Sequence, residues 1–316
     1  MKWGTMVNFK ELDKKQLKKM KENERVEYQL EALEYYGNLK DQLADFKDKE
    51  KIHSLLLNVA RLNPTRIHKL NEMTLPFDEK NCIFSANHSN ANDFMILAQL
   101  IKNHFFIMAD YTMINDPIVD KLNQLNGCIY LDRKSKSSGK NAISQAIDGV
   151  DQGYHMLIFP ESTWNLFDKR LMLPRKWGDI IIAQQTSRPI IPIGLVYNSN
   201  NCFVKFGEPF YVRPEDDIKK SSEELTHIME KLRSDIINSS KYQLLYQEIS
   251  YEEWLKKTIK SYRNFDVDYE MSVIRKTDDI DEKELERILT IGEQVHPVET
   301  FEKKLIYSKV NYRLKR

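Results

Sequence analysis

The sequence predicts an α/β fold: a mostly parallel central sheet with helices on both faces, plus helical extensions at the N- and C-terminal ends. Three observations lead there. Short apolar runs alternate with helix-like stretches across residues 81–212. Those runs are apolar throughout, the pattern of strands buried on both faces rather than on one. The flanking segments are polar and charged, and read as helices.

Taken in order, residues 1–80 form a helical N-terminal extension. Phe9, Leu12, Leu17 and Met20 give one loose apolar stripe, and residues 55–62 give another. The plain reading is a solvated helical layer packed on the main domain. The run Lys14, Lys15, Lys18, Lys19 and Lys21 also suits a basic amphipathic surface facing anionic lipid. Residues 81–212 form the α/β domain. CIFSAN, FFIMAD, GCIYLD, HMLIFP, PIIPIGLVY and CFVKFG read as strands. Helices are expected over 92–102, 117–125, 139–152 and a stretch ending near Ser187. Residues 213–316 form a helical C-terminal extension whose first helix, SSEELTHIMEKLRSDIINS, takes Ser222 as its cap.

Composition narrows the function. Hydrophobic residues make up 41% and charged residues 30% of 316 positions, which allows a real core. A formal net charge of +1 gives no global attraction for nucleic acid, so any anion site is local. Three cysteines without CxxC spacing predict neither disulfides nor zinc, and fit a reducing cytoplasm. The first twenty residues lack the apolar core of a secretory signal. The most apolar stretch, residues 94–108, is interrupted by Lys102, Asn103 and His104, whereas a spanning helix needs ~20 apolar residues. Any contact with a membrane is therefore expected to be peripheral, from the cytoplasmic side, with the chain lying on the bilayer rather than crossing it.

Chemistry concentrates where the predicted strands end. CIFSA is followed by Asn87, His88, Ser89, Asn90, Ala91, Asn92 and Asp93. A spacing of five would point His88 and Asp93 apart within one helix. They meet if His88 lies in the loop and Asp93 in the first helical turn, with Ser89 or Asn90 as cap. Asp93 then fixes the imidazole tautomer and leaves the other nitrogen as a base. By spacing alone the block equally suits the cap of a buried helix. Strand three runs into Asp132 and Arg133, and strand four into Phe159, Pro160, Glu161, Ser162, Thr163 and Trp164. Pro192 lies within the later strand.

These blocks, in this order, resemble the four motifs of the glycerolphosphate and lysophosphatidate acyltransferases: NHxxxxD, GxxFxDR, FPEGTR and a late proline-containing strand. The likeness spans residues 81–207, about two-fifths of the chain. It implies that His88 removes the proton of an acceptor hydroxyl, that Asp93 orients it, and that the hydroxyl attacks an acyl thioester directly. Acyl-CoA or acyl carrier protein is then the co-substrate, with no cofactor and no metal. It further implies that Arg133, Glu161, Ser162 and Thr163 hold the acceptor, usually through its phosphate, and that Pro192 shapes the last core strand of the site.

Two positions depart from the family. Ser162 replaces a glycine, and Trp164 replaces an arginine that helps bind phosphate. Arg170, Arg175 and Lys176 follow closely and are either replacements for that cation or solvated surface. Trp164 either stacks on an acceptor group or packs. A GxSxG elbow and a GxGxxG turn after the first strand are both missing, which argues against an esterase and a dinucleotide site. The expected function is acyl transfer to a lysophosphatidate-like glycerol phosphate. Alternatives are a sugar or polyol acceptor, motivated by Trp164, and a non-catalytic lipid-binding scaffold. Acyl-chain length, oligomeric state and the purpose of the C-terminal extension are not readable.

Overall fold

A computed structural model describes residues 12, 14–38, 49–75, 81–114, 123, 126–167, 170–261 and 282–295. The expected helix over 117–125 lies outside them, except for residue 123. Three helices, α1 (Lys14–Lys19), α2 (Glu22–Asn38) and α3 (Lys49–Ala60), precede the sheet. The strands are β1 (Arg66–Lys69), β2 (Ile83–Ala86), β3 (Phe105–Asp110), β4 (Cys128–Leu131), β5 (His155–Ile158), β6 (Ile190–Asn198) and β7 (Asn201–Phe206). They form one seven-stranded sheet in the order β1-β7-β6-β2-β5-β3-β4. The five strands from β6 to β4 are parallel, while β7 returns antiparallel to β6 and β1 runs parallel to β7.

Helices cover both faces, as the unbroken apolar strands require. Successive residues of β2 serve opposite layers. Phe84 and Ala86 enter a core with α3 and with α4 (Asp93–Leu100), alongside Leu157, Ile191 and Ile193. Ile83 packs the other way, with Met156 and Ile190, against α5 (Lys136–Asp151), α6 (Gly178–Thr186) and α7 (Ile218–Ile237). Each face buries a large share of its apolar side chains completely, and at ~25 cal/mol per Å² such burial is the main force holding the layers together. Pairing registers Phe84 with Leu157 and Ala86 with Ile193, so the parallel strands end on a common rim.

The structure corrects several local expectations. Residues 66–69 lie in the segment expected to be helical, yet they add strand β1 to the sheet edge through bonds from Arg66 N–H to Asn200 and from Leu70 N–H to Val204. The cap of α7 is Asp217, whose carboxylate accepts the Lys220 N–H at 2.8 Å; Ser222 is buried inside the helix. α5 begins at Lys136, with Ser135 as its cap. α7 is also a layer of the sheet, packing along β6 and β7. Beyond it follow α8 (Ser240–Leu245), α9 (Tyr251–Ser261) and α10 (Glu282–Val295). Among the described residues, no helix is long and apolar enough to cross a membrane.

Candidate active site

The carboxyl ends of the parallel strands gather the singled-out residues, as open α/β sheets do. Asn87 extends the β2 line: its side chain accepts the Leu195 N–H at 2.6 Å and donates to the Leu195 carbonyl at 3.1 Å. This side-chain bridge to β6 fixes where the chain leaves the sheet. His88 follows in the loop, and Asp93 opens α4, the arrangement the spacing requires.

The imidazole Nδ1 lies 2.8 Å from Asp93 Oδ2. That oxygen also accepts the N–H groups of Ser89 at 2.5 Å and Asn90 at 3.0 Å. Asp93 is therefore its own loop's anchor; the expected cap from Ser89 or Asn90 is not made, and Asn92 at the cap position forms no side-chain bond to the helix. Asp93 is fully buried, whereas the His88 side chain is 22% exposed and so reachable. The Tyr197 hydroxyl and Cys202 thiol stand near this carboxylate. Burial first, and the Asp93 charge second, push both far above their ordinary pKa, so they stay neutral.

The turn after β5 grips His88 rather than open space. Glu161 Oε1 accepts the His88 N–H at 2.9 Å, and Oε2 accepts the Leu173 N–H at 2.7 Å. The Asn165 N–H donates to the His88 carbonyl at 2.8 Å. Phe159 stacks on the imidazole with ring centroids 4.2 Å apart. Trp164 Nε1–H donates to His88 Nε2 at 2.9 Å. An indole N–H only donates and an ionised carboxylate only accepts, so the two contacts together fix a neutral ring with its proton on Nδ1.

This revises the roles expected of that turn. Glu161 and Thr163 are buried, and both Glu161 oxygens are spent on backbone donors, so Glu161 builds the loop instead of holding an acceptor. Burial raises its pKa from 4.5 to about 7, against the pull of Arg233 and of its two backbone bonds. Ser162 takes φ of +59°, the left-handed conformation that explains a glycine there in the family. Its carbonyl accepts Arg133 Nη1 at 2.7 Å. Trp164 is 9% exposed and faces the imidazole, not a solvent-filled acceptor site.

Among the cations, Arg133 donates through Nε to Asp110 Oδ2 at 2.5 Å, at the same rim. Arg175 is buried against Asp179, which also accepts the Ser85 hydroxyl at 2.6 Å; it is structural and does not replace the missing arginine. The Lys176 side chain is exposed, and its N–H donates to the Pro160 carbonyl at 2.8 Å. Arg170 lies 6.0 Å from the centroid of the Phe167 ring. Pro192 stands in β6 opposite Ser85, and its carbonyl accepts the Gly207 N–H.

Sequence reasoning gave no role to Asn87, Asp110, Asn165 or Arg233. The first two were legible in principle, being polar residues at strand ends. Arg233 was not. It reaches in from α7, bonds the Arg170 and Leu171 carbonyls, and sets a buried positive charge near Glu161 and Asp93. Burial lowers its pKa, and those two carboxylates oppose the shift. A cavity of about 400 Å³ bounded by Phe84, Gln99, Asn103 and His155 opens at the other ends of the strands, away from this site.

A carboxylate-oriented histidine at the end of one strand, bolted to an FPE turn at the end of another, defines the acyltransferase class of α/β domain. Comparison with known proteins agrees: the Acyltransferase family model matches residues 58–196, and this region is similar to the glycerolphosphate and lysophosphatidate acyltransferases. It is 31% identical over 168 residues to the 1-acyl-sn-glycerol-3-phosphate acyltransferase of Borreliella burgdorferi, covering 50% of this chain and 66% of that one. The enzyme of the same name from Saccharomyces cerevisiae is 26% identical over 41% of this chain and 43% of its own length, and that from Haemophilus influenzae 28% over 47% and 62%. The chain thus spans between 43% and 66% of these relatives. The crystal structure of the 1-acyl-sn-glycerophosphate acyltransferase from Thermotoga maritima superposes with a TM-score of 0.48 at 17% identity, over 71% of this chain and 86% of that one.

Proposed function

We propose that this chain transfers a fatty acyl group from acyl-CoA or acyl carrier protein to a hydroxyl of a lysophosphatidate-like glycerol phosphate, in phospholipid synthesis. The observation that carries the reading is the contact of His88 Nδ1 with the buried Asp93. It leaves the Nε2 lone pair as the base. An acceptor hydroxyl at Nε2 gives up its proton as its oxygen attacks the thioester carbonyl. The new C–O bond forms, the C–S bond breaks, and the departing thiolate recovers the proton from Nε2. Asp93 stabilises the imidazolium between the two transfers. Arg133 is the guanidinium at this rim suited to an acceptor phosphate, with exposed Lys176 as a second cation. The names of the relatives support glycerol phosphate as the acceptor class.

Both proposed substrates are amphiphiles, so the reading places the chain on the inner face of a membrane. Leu55, Val59 and Leu62, exposed along and just after α3, support a lipid-facing surface.

Release of carrier thiol from oleoyl-CoA or oleoyl carrier protein should depend on added lysophosphatidate. The rate should fall by ~10²–10⁴ in His88→Ala, the usual worth of a general base. An unchanged rate in that variant would remove the mechanism.

A further inference from the structure

We propose that Trp164 is a latch on the base: its indole N–H occupies the Nε2 lone pair of His88 at rest, and the base becomes available when a bound acceptor displaces the indole. This rests on the reading of His88 as general base.

The geometry is specific. Nε2 is the nitrogen that must take the acceptor's proton, and at 2.9 Å from Trp164 Nε1 its lone pair is already engaged. The other ring nitrogen is held by Asp93, so the imidazole has no second site for a substrate hydroxyl. An indole N–H has no lone pair to offer, so it cannot relay a proton from an alcohol to Nε2. It has to move for chemistry to occur. His88 cannot easily move instead, because its N–H and carbonyl are tied to Glu161 and Asn165 and its ring lies on Phe159.

Packing explains what holds the latch closed. Trp164 shares a buried cluster with Leu166, Phe167 and Leu173 of its own loop and with Leu255, Ile259, Leu285 and Ile288 of α9 and α10. Tyr251 of α9 donates its hydroxyl to the Leu166 carbonyl at 2.8 Å. The C-terminal helices therefore back the loop that carries the indole. Such a latch keeps the base from activating water while the acyl thioester waits. Water attack would form carboxylic acid and free thiol by the same bond changes as transfer, with water in place of the alcohol.

Trp164→Phe keeps an aromatic ring in the cluster and removes the donor. Relative to wild type, oleoyl-CoA hydrolysis without acceptor should rise roughly three- to tenfold, the effect of freeing one net hydrogen bond. The rise should vanish in the double variant with His88→Ala. In wild type, the Trp164 indole ¹H–¹⁵N resonance, assigned by its loss in Trp164→Phe, should move when lysophosphatidate is added. Hydrolysis that stays level or falls in Trp164→Phe overturns the latch, as does an indole resonance unmoved at saturating lysophosphatidate. Failure of the base reading is separate: transfer would then survive His88→Ala.

Discussion

Glu161 shows how one residue can be central to a site without touching a substrate. Its carboxylate is fully buried, bonded to the backbone of His88 and Leu173, and opposed by the Arg233 charge. Its pKa in the folded protein, about 7, lies above the ordinary 4.5. Between those values the folded state binds more protons than the unfolded state, so this group's contribution to stability is fully present below about 4.5 and is lost as pH rises through about 7. The full swing is ~3 kcal/mol at 1.36 kcal/mol per unit. Glu161→Gln resembles the protonated form and should flatten the slope. Urea unfolding of both proteins at pH 5 and pH 8 checks this, and equal slopes would assign the dependence to another group. His88, Asp93 and Arg133 were legible because each follows a recognisable strand end. The inward turn of Glu161 and the indole bond of Trp164 were not, since sequence order does not show which way a loop side chain faces.

At the scale of elements, the parallel strands were legible because burial on both faces writes itself as an unbroken apolar run. β1 escaped notice for the opposite reason: RIHK is a polar edge strand whose ends are exposed, so neither an apolar run nor alternation marks it. The cap of α7 was misplaced because two serines and two aspartates all precede or open that helix, and only the backbone shows that Asp217 reaches the Lys220 N–H. α7 also depends on a glycine. A Cβ at Gly194 of β6 would stand 2.9 Å from Leu232 Cβ and 3.2 Å from the Leu232 carbonyl carbon, so the helix backbone itself would have to retreat. Gly194→Ala should cost about 1–3 kcal/mol, the usual range for overpacking, read as a lower denaturation midpoint. Because Leu232 precedes Arg233, the same retreat would draw the buried guanidinium away from Glu161. A midpoint equal to wild type would mean that α7 shifts freely.

Across the whole molecule, the C-terminal helices were the least legible part, and the reason is physical. An amphipathic helix declares that it has an apolar face, not what that face covers. In the structure, Leu255 and Ile259 of α9 and Leu285, Ile288 and Ile291 of α10 close over Trp164, Leu166, Phe167 and Leu173. This couples the far end of the chain to the turn that grips His88, through packing rather than through any residue at the site. Ile288 is fully buried in that cluster. Ile288→Ala should therefore cost ~2–4 kcal/mol where α9, α10 and the loop meet. If those parts form one local unit, the loss is confined to it. Hydrogen exchange should then quicken in residues 251–261, 282–295, 164–167 and 170–173, while the amides of β2, β5 and β6 keep their protection. Equal acceleration in the sheet would instead make the helical pair part of the same cooperative unit as the core. The confined outcome would leave the His88–Asp93 contact intact while loosening the loop behind Trp164, which separates the scaffold of the site from the element that covers it.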